Sequence, residues 1–92
     1  MLELKLTAQF RRDYKLMRKR GYDTSLLADV LNRLRAGETL EAKYRDHSLT
    51  GNMAGQRECH VRPDWLLIYE VTPEALILTA VRTGTHADLL GM

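Results

Sequence analysis

The chain has a single cysteine, Cys59, among its 92 residues, and this scarcity limits what can hold the fold together. A lone cysteine cannot close an internal disulfide, so the fold depends on non-covalent packing and suits a reducing cytoplasm. A catalytic thiol is possible. Cys59 lies within a strand pattern, however, and there a small buried apolar residue is the favoured interpretation.

Long apolar runs are also missing. No stretch approaches the roughly 20 apolar residues that a membrane-spanning helix needs. Charges at Glu3 and Lys5 fall where the apolar segment of a signal peptide would have to lie. We therefore expect a soluble, cytoplasmic protein with no membrane partner, and its length predicts a single domain over residues 1–92.

Several signatures of known chemistry are absent from the sequence. It has no P-loop, no glycine fingerprint for a dinucleotide and no serine nucleophile elbow. The three histidines and Asp64 could in principle bind zinc, but no two of the histidines have the helical i, i+4 spacing or the short spacing that many zinc sites use. We expect neither a metal nor another cofactor.

The pattern of apolar and polar residues predicts both strands and helices. "LELKL" alternates apolar and charged side chains, which predicts a strand. Two amphipathic helices follow, one from an N-cap at Thr7 to Gly21 and one from Asp23 or Thr24 to Gly37. The side chains expected to be buried are Leu2, Leu4, Leu6, Phe10, Tyr14, Met17, Leu27, Val30, Leu31 and Leu34.

The second half of the chain predicts a sheet. Residues 38–54 lose periodicity and have the glycine, asparagine, serine and aspartate content of an irregular loop. Strand patterns then cover residues 56–61, 65–71 and 76–81, with Pro73 suited to the turn before the last strand. The resulting order predicts an α+β domain, in which the helices pack on one face of a mostly antiparallel sheet.

Positive charge is concentrated in the first half of the chain, which has 11 Lys and Arg against 6 Asp and Glu. Basic residues line the first helix opposite its apolar stripe: Arg11, Arg12, Lys15, Arg18, Lys19 and Arg20. Any one of them is most simply a solvated residue. Together they favour contact with phosphates of an RNA such as ribosomal RNA, although an acidic protein partner would fit the same surface.

Polar groups with catalytic potential lie near the ends of the last three strands. They are His47, His60, Asp64, Trp65, Arg82 and His86. If these strands form a meander, residues 60–65 and 82–86 meet at one end of the sheet. RNA cleavage without a metal needs a base for the 2′-hydroxyl, a cation for the phosphate and an acid for the leaving oxygen. Imidazoles and an arginine supply these, and an indole can stack on a base.

Each of these residues has a structural interpretation when taken alone. A strand histidine is usually a satisfied, partly buried residue, a tryptophan is usually core, an aspartate after Pro63 is a common turn residue, and Arg82 can be a surface charge. Their coincidence within one short region makes the catalytic interpretation the stronger one.

Two segments carry a family resemblance. "YRDHSLTGNMAGQRECHVRPDWLLIYEV" and, near the end, "VRTGTHADLLG" closely resemble the YafQ branch of the RelE-like toxins. The resemblance covers nearly the whole chain and implies a RelE-like fold. It also implies a ribosome-dependent mRNA endonuclease that cuts message in the ribosomal A site without a metal and is neutralised by a cognate antitoxin.

The resemblance also implies roles for individual residues. His47, His60, Asp64 and His86 fall on the family's acid–base cluster, and Arg82 falls on its phosphate-stabilising arginine. His86 is the first choice for the general acid, while His60 or Asp64 would be the base or would orient it.

Other matched positions bear on substrate contact. Trp65 falls on the family's indole, which is expected to support the substrate pocket more than to contact the substrate. Leu90 stands where an aromatic residue is common, so any stacking there becomes a weaker apolar contact. Gln56 replaces a common aromatic. Substrate contact is also expected from the basic helix, through Arg11, Lys15, Arg18 and Lys19.

Two alternatives stay open at this point. A RelE-fold toxin can act on a protein target such as DNA gyrase, but toxins of that kind lack the histidine cluster. A binding module without catalysis is the other, and the missing aromatic at Leu90 is the single feature that favours it.

Overall fold

The computed structural model describes residues 1–91, and these form a five-stranded sheet with three α-helices. The strands are β1 (Glu3–Leu6), β2 (His47–Ser48), β3 (Arg57–Arg62), β4 (Trp65–Thr72) and β5 (Ile77–Gly84). The helices are α1 (Ala8–Lys19), α2 (Thr24–Arg35) and α3 (His86–Leu90). Strand order is β1-β5-β4-β3-β2, with β1 parallel to β5 and the other neighbours antiparallel. The predicted α+β architecture is confirmed.

The first two helices begin at the predicted caps. The hydroxyl of Thr7 accepts the backbone N–H of Phe10 at 2.9 Å, and the carboxylate of Asp23 accepts that of Ser25 at 3.0 Å. Each cap satisfies a backbone donor that has no partner within its helix. Between the helices, Gly21 has a φ of +87°, which a residue without Cβ adopts without strain.

One face of the sheet packs against α1 and α2. The helices contribute Phe10, Met17, Leu27, Val30, Leu31 and Leu34, and the sheet contributes Cys59, Val61, Trp65, Leu67, Tyr69, Leu78 and Ala80. Because side chains alternate along a strand, Leu66 and Ile68 of β4 point to the opposite face, where they are also buried. The central strand is therefore apolar on both sides.

Burial was predicted incorrectly for Leu6. Leu2 and Leu4 pack against the core, but Leu6 is 37% exposed. The reason is the position of β1 at the edge of the sheet. There α1 and α2 leave a shallow apolar groove that Leu6 lines together with Tyr14 and Ala28.

The loop expected over residues 38–54 contains a strand that was not predicted. β2 has two residues, too few to show alternation, and it pairs with the start of β3. A polar network holds it in place. The carboxylate of Asp46 accepts hydrogen bonds from the Tyr69 hydroxyl at 2.6 Å and from Nε of Arg57 at 3.2 Å, while Arg57 also donates to Ser48 at 2.8 Å.

The last strand begins and ends later than predicted. Leu76 completes the turn of Pro73–Ala75 in the left-handed conformation, with a φ of +55°, and is exposed. β5 continues to Gly84, because Gly84 pairs with Leu66 of β4. Within residues 1–91, no helix has the length and apolar character needed to cross a membrane.

Candidate active site

The strand register brings His60, Arg82 and the segment that leads into His86 to one end of the sheet. His60 of β3 and Gly84 of β5 both pair with Leu66 of β4. One step away, Ile68 of β4 pairs with Glu58 on one side and Arg82 on the other. Paired residues point to the same face. The meander inferred from the sequence is therefore present.

Asp64 and His86 form a hydrogen-bonded pair. Asp64 lies in the two-residue turn between β3 and β4, and its Oδ1 accepts the backbone N–H of His86 at 3.0 Å. The same oxygen lies 2.5 Å from Nδ1 of the His86 ring. Both hydrogen bonds lower the pKa of Asp64, and the one from the backbone N–H of His86 has the larger effect. With Nδ1 donating to a carboxylate, Nε2 of His86 has no hydrogen-bond partner among residues 1–91.

The position of His86 depends on how α3 is anchored. Thr85 and Asp88 cap this helix reciprocally, and Arg20 of α1 donates two hydrogen bonds to Asp88, at 2.7 and 3.2 Å. The hydrogen bond from Arg20 lowers the pKa of Asp88. Gly84 permits the close approach, since a Cβ there would lie 3.0 Å from Cβ of Asp88.

His60 contacts His86 directly. The two ring centroids are 5.6 Å apart and the rings are inclined by 62°. Nδ1 of His60 lies 3.3 Å from the carbonyl oxygen of Pro63, and the His60 side chain is 13% exposed. The structure thus places two imidazoles from distant parts of the chain on one surface.

Glu58 is a member of the cluster that the sequence analysis missed. Its Oε1 lies 3.8 Å from Nε2 of His60 and 3.6 Å from Nε2 of His47, and its side chain is 11% exposed. His47 is oriented by a contact of 2.7 Å between Nδ1 and the carbonyl oxygen of Arg45. The sequence could have indicated Glu58, because side chains alternate between the two faces of a strand. Glu58 is two residues before His60 on the same strand and therefore lies on the same face.

Arg82 is held by a second missed residue, Asp13 of α1. Nε and Nη2 of Arg82 donate to the two carboxylate oxygens at 2.8 and 3.1 Å, and the backbone N–H of Thr83 donates at 3.2 Å. Asp13 is 8% exposed. Burial raises its pKa, but the hydrogen bonds from Arg82, Gln9 and Thr83 outweigh that effect and the net pKa is lowered.

The bidentate pair leaves part of Arg82 available. Its side chain is 33% exposed, and Nη1 makes no hydrogen bond with any residue in the range 1–91. Asp13 also had a signal in the sequence. It is a carboxylate lying between Phe10 and Met17 on the apolar stripe of α1, where only a paired charge is tolerated.

Trp65 is buried, which favours the expected supporting role of this residue over the predicted contact with substrate. The residue is 1% exposed, its Nε1 donates to the Thr83 hydroxyl at 2.9 Å, and its ring packs edge-on against Tyr22. A buried indole has no free face for a base, so Trp65 supports the site from within the core. Leu90, by contrast, lies in α3 and is 46% exposed.

The basic surface of α1 is solvent-exposed, as expected. Arg11, Lys15, Arg18 and Lys19 are all exposed, and none forms an ion pair with another residue of the described chain. Arg20 differs, because it is engaged with Asp88.

Cys59 is fully buried, and burial is the main factor that raises the pKa of its thiol to about 12. A thiol that stays protonated at neutral pH is a poor nucleophile. The prediction of a small buried apolar residue is confirmed.

Together the fold and the cluster define a small α+β protein with a group of ionisable side chains at one end of its sheet. The chain belongs to the YafQ family. The family model described as "Bacterial toxin of type II toxin-antitoxin system, YafQ" matches residues 2–91. The family resemblance and the RelE-like fold expected from the sequence are confirmed.

Individual relatives agree with this assignment. The mRNA interferase toxin YafQ of Escherichia coli strain K12 is 40% identical over 90 residues, covering 97% of this chain and 96% of that protein. The YafQ in the crystal structure of the E. coli DinJ-YafQ complex superposes with a TM-score of 0.89 at 39% identity, over 99% of this chain and all of that one.

A metal-bound toxin from Helicobacter pylori superposes with a TM-score of 0.91 at 38% identity, over 97% of this chain and 99% of that one. Within residues 1–91 of this chain, no three His, Cys, Asp or Glu side chains are arranged to hold one metal ion. The residues described therefore do not fit such a site.

Proposed function

We propose that this chain is the toxin of a type II toxin–antitoxin pair and an mRNA interferase, that is, an endoribonuclease that cuts translated message on the ribosome. The observation that carries this proposal is the Asp64–His86 pair facing His60. Two E. coli relatives bear the name mRNA interferase toxin, at 40% identity over nearly the full chain.

The chemistry we propose is transesterification by the neighbouring 2′-hydroxyl. A base removes its proton, the 2′-oxygen forms a bond to phosphorus, and the bond from phosphorus to the 5′-oxygen breaks. The products are a 2′,3′-cyclic phosphate and a 5′-hydroxyl. An acid must protonate the leaving oxygen, and each such proton transfer contributes about 10²–10⁴-fold.

His86 fits the role of general acid. Its Nδ1 donates to Asp64 and its side chain is 34% exposed, so a protonated ring can deliver a proton from Nε2 to the leaving oxygen. Asp64 orients this ring through the backbone and the side chain of His86. An orienting role for Asp64, which the sequence left open, is therefore favoured over a role as the base.

The base is proposed to come from the side of the cluster that contains Glu58. His60 lies against His86, and Glu58 lies between His60 and His47 at 3.8 and 3.6 Å. A proton taken by His60 creates a positive charge that the nearby carboxylate stabilises. His47 shares the same carboxylate and serves as an auxiliary proton carrier.

Arg82 and the basic surface of α1 are proposed to bind phosphates. Nη1 of Arg82 is available to stabilise charge on the scissile phosphate, while Asp13 fixes the orientation of the guanidinium. Arg11, Lys15, Arg18 and Lys19 supply a positive surface for ribosomal RNA. We infer that a cognate antitoxin covers these surfaces in the cytoplasm. The E. coli relative forms a DinJ-YafQ complex, which supports the existence of such a partner.

The decisive experiment is primer extension on mRNA after induction of the toxin in bacterial cells. Cuts aligned with codons are expected with the wild-type chain. The purified chain should then cut the same message when that message is bound in the ribosomal A site. It should leave message that is not bound to ribosomes intact. Arrest with intact message and DNA damage would replace the proposal by a gyrase target. Arrest with neither would indicate a binding module without catalysis.

A further inference from the structure

A cleft adjoins His60. One cavity of about 350 Å³ is lined by His60 and by Leu26, Val61 and Pro63, which we call its apolar floor. A second cavity of about 350 Å³ shares Lys43, His60 and Pro63 with the first. We call these two adjoining spaces the His60 cleft. His86 lines neither of them, so His60 is the link between the cleft and the imidazole pair.

The rim of the His60 cleft is positively charged. Lys43, Arg45 and Arg62 line it, and no carboxylate from residues 1–91 does. Lys43 and Arg45 are highly exposed, and the nearest carboxylate to Lys43 is that of Glu41, 3.9 Å from Nζ. An apolar floor below a cationic rim fits a ligand with one flat apolar part and one anionic part, which describes a nucleotide.

Tyr44 gives the cleft an aromatic wall whose orientation is fixed. The guanidinium of Arg33 lies 5.4 Å from the ring centroid, and Nη1 of Arg33 donates to the Tyr44 hydroxyl at 3.3 Å. Arg33 is itself held by Glu41 at 2.6 Å. Nζ of Lys43 lies 5.2 Å from the same centroid. A preoriented ring loses little conformational entropy when a base stacks on it.

We propose that the His60 cleft binds the nucleotide on the 5′ side of the scissile phosphate, the one whose 2′-hydroxyl attacks. This inference rests on the proposed function. With His86 protonating the leaving oxygen of the downstream nucleotide, the ribose that carries the nucleophile lies on the His60 side. Its base then reaches Tyr44 and the apolar floor, and the preceding phosphate reaches Lys43, Arg45 or Arg62.

The lining also indicates how the base is recognised. The floor residues have no side-chain donor or acceptor, and the Tyr44 hydroxyl is engaged by Arg33. Binding by stacking is tolerant of sequence, because every base has a π face. The cleft therefore adds affinity at this position without selecting a base.

Photo-crosslinking on the ribosome tests the position. The message carries a 2′-deoxy residue at the cut site, which removes the nucleophile, and 4-thiouracil as the base either of that nucleotide or of the next one downstream. Wild-type chain is expected to crosslink through Tyr44 or Lys43 with the first probe. Crosslinks to these residues from the downstream probe alone, or from neither probe, would overturn the proposal.

Kinetics with matched variants provide the second test. Tyr44→Leu is expected to raise KM about tenfold for all four bases, within the 1–3 kcal/mol range of base–aromatic stacking, with kcat kept within about threefold. Lys43→Ser should raise KM severalfold. Lys5→Ser removes the same charge from β1, at the opposite edge of the sheet, and should change neither constant.

The outcomes separate this proposal from the proposed function. If the wild-type chain cuts the unmodified message but Tyr44→Leu behaves like Lys5→Ser, the cleft proposal fails and the interferase proposal stands. If the wild-type chain cuts no message at all, the interferase proposal fails and the cleft proposal fails with it.

Discussion

The two halves of the histidine cluster are built on different physical principles. On one side, a single oxygen of Asp64 accepts two hydrogen bonds from His86, at 3.0 and 2.5 Å. On the other, Glu58 lies 3.6 and 3.8 Å from two imidazoles, beyond ordinary hydrogen-bond distance. The first arrangement fixes one ring, whereas the second shares one negative charge between two rings.

Exposure makes the contrast sharper. The Asp64 side chain is 69% exposed, so water screens its charge and its contribution is orientation of His86. The Glu58 side chain is 11% exposed, and its charge acts in a region of lower dielectric. The side proposed to supply the acid is therefore organised by hydrogen-bond geometry, and the side proposed to supply the base is organised by electrostatics.

His86→Ala has the largest expected effect. Removing the proton donor should lower the single-turnover rate of cleavage on the ribosome by about 10³-fold, within the range for general acid catalysis. Growth arrest should disappear with it. The fold should remain intact, because the ring is 34% exposed, and circular dichroism provides the control. Unchanged toxicity at normal expression would remove His86 from the mechanism.

Asp64→Asn comes next, with an expected loss of about 30- to 100-fold. The amide can present its NH₂ to Nδ1 and so favour the wrong tautomer of His86. If Asp64 acts only through His86, the Asp64→Asn, His86→Ala double variant should be no slower than His86→Ala alone. A further tenfold loss in the double variant would show that Asp64 acts independently, for example as the base.

Glu58→Gln should lower the rate about tenfold. The substitution keeps the shape of the side chain but removes the charge that stabilises a protonated imidazole beside it. Combined with His86→Ala, it should give a multiplicative loss, since the two residues serve different proton transfers. Thermal unfolding serves as the control for folding. A loss that vanishes in the His86→Ala background would contradict the division between an acid side and a base side.

The parts that the sequence predicted well are those with local signals. Capping residues at Thr7 and Asp23 and the apolar stripes behind them specify α1 and α2 within a residue or two. The meander follows from three strand patterns at hairpin spacing, and it alone suffices to bring His60 near His86. These features need no knowledge of distant contacts.

The parts that were missed depend on contacts far apart in the sequence. β2 exists because Asp46 is held by Tyr69, 23 residues away, and Arg82 is oriented by Asp13 from 69 residues away. Trp65 has the same residue type whether it stacks on RNA or fills the core, and only its burial decides between them. No local pattern contains that information.

Substitution of Asp13 is expected to have the smallest effect on catalysis, and its main effect should be on stability. Asp13→Asn removes the charge that pairs with Arg82, and at pH 7 it should lower the free energy of unfolding by about 2 kcal/mol, the value for hydrogen bonds to charged groups. Cleavage should fall by about threefold, because Nη1 of Arg82 is free in either case and only its orientation is relaxed.

The acid dependence of stability distinguishes a loss of charge from a loss of packing. Because the pKa of Asp13 is lowered in the folded state, its contribution is complete above the unfolded value of about 3.9 and is lost as the pH falls through the lower folded value. Urea unfolding should therefore show a large difference in the free energy of unfolding between wild type and Asp13→Asn at pH 7. This difference should be smaller at pH 3. Asp64 and Asp88, whose pKa values are also lowered, keep some acid dependence in both proteins. An equal difference in the free energy of unfolding at both pH values would mean that Asp13 stabilises the fold through packing. The ion pair with Arg82 would then orient the guanidinium without adding to stability.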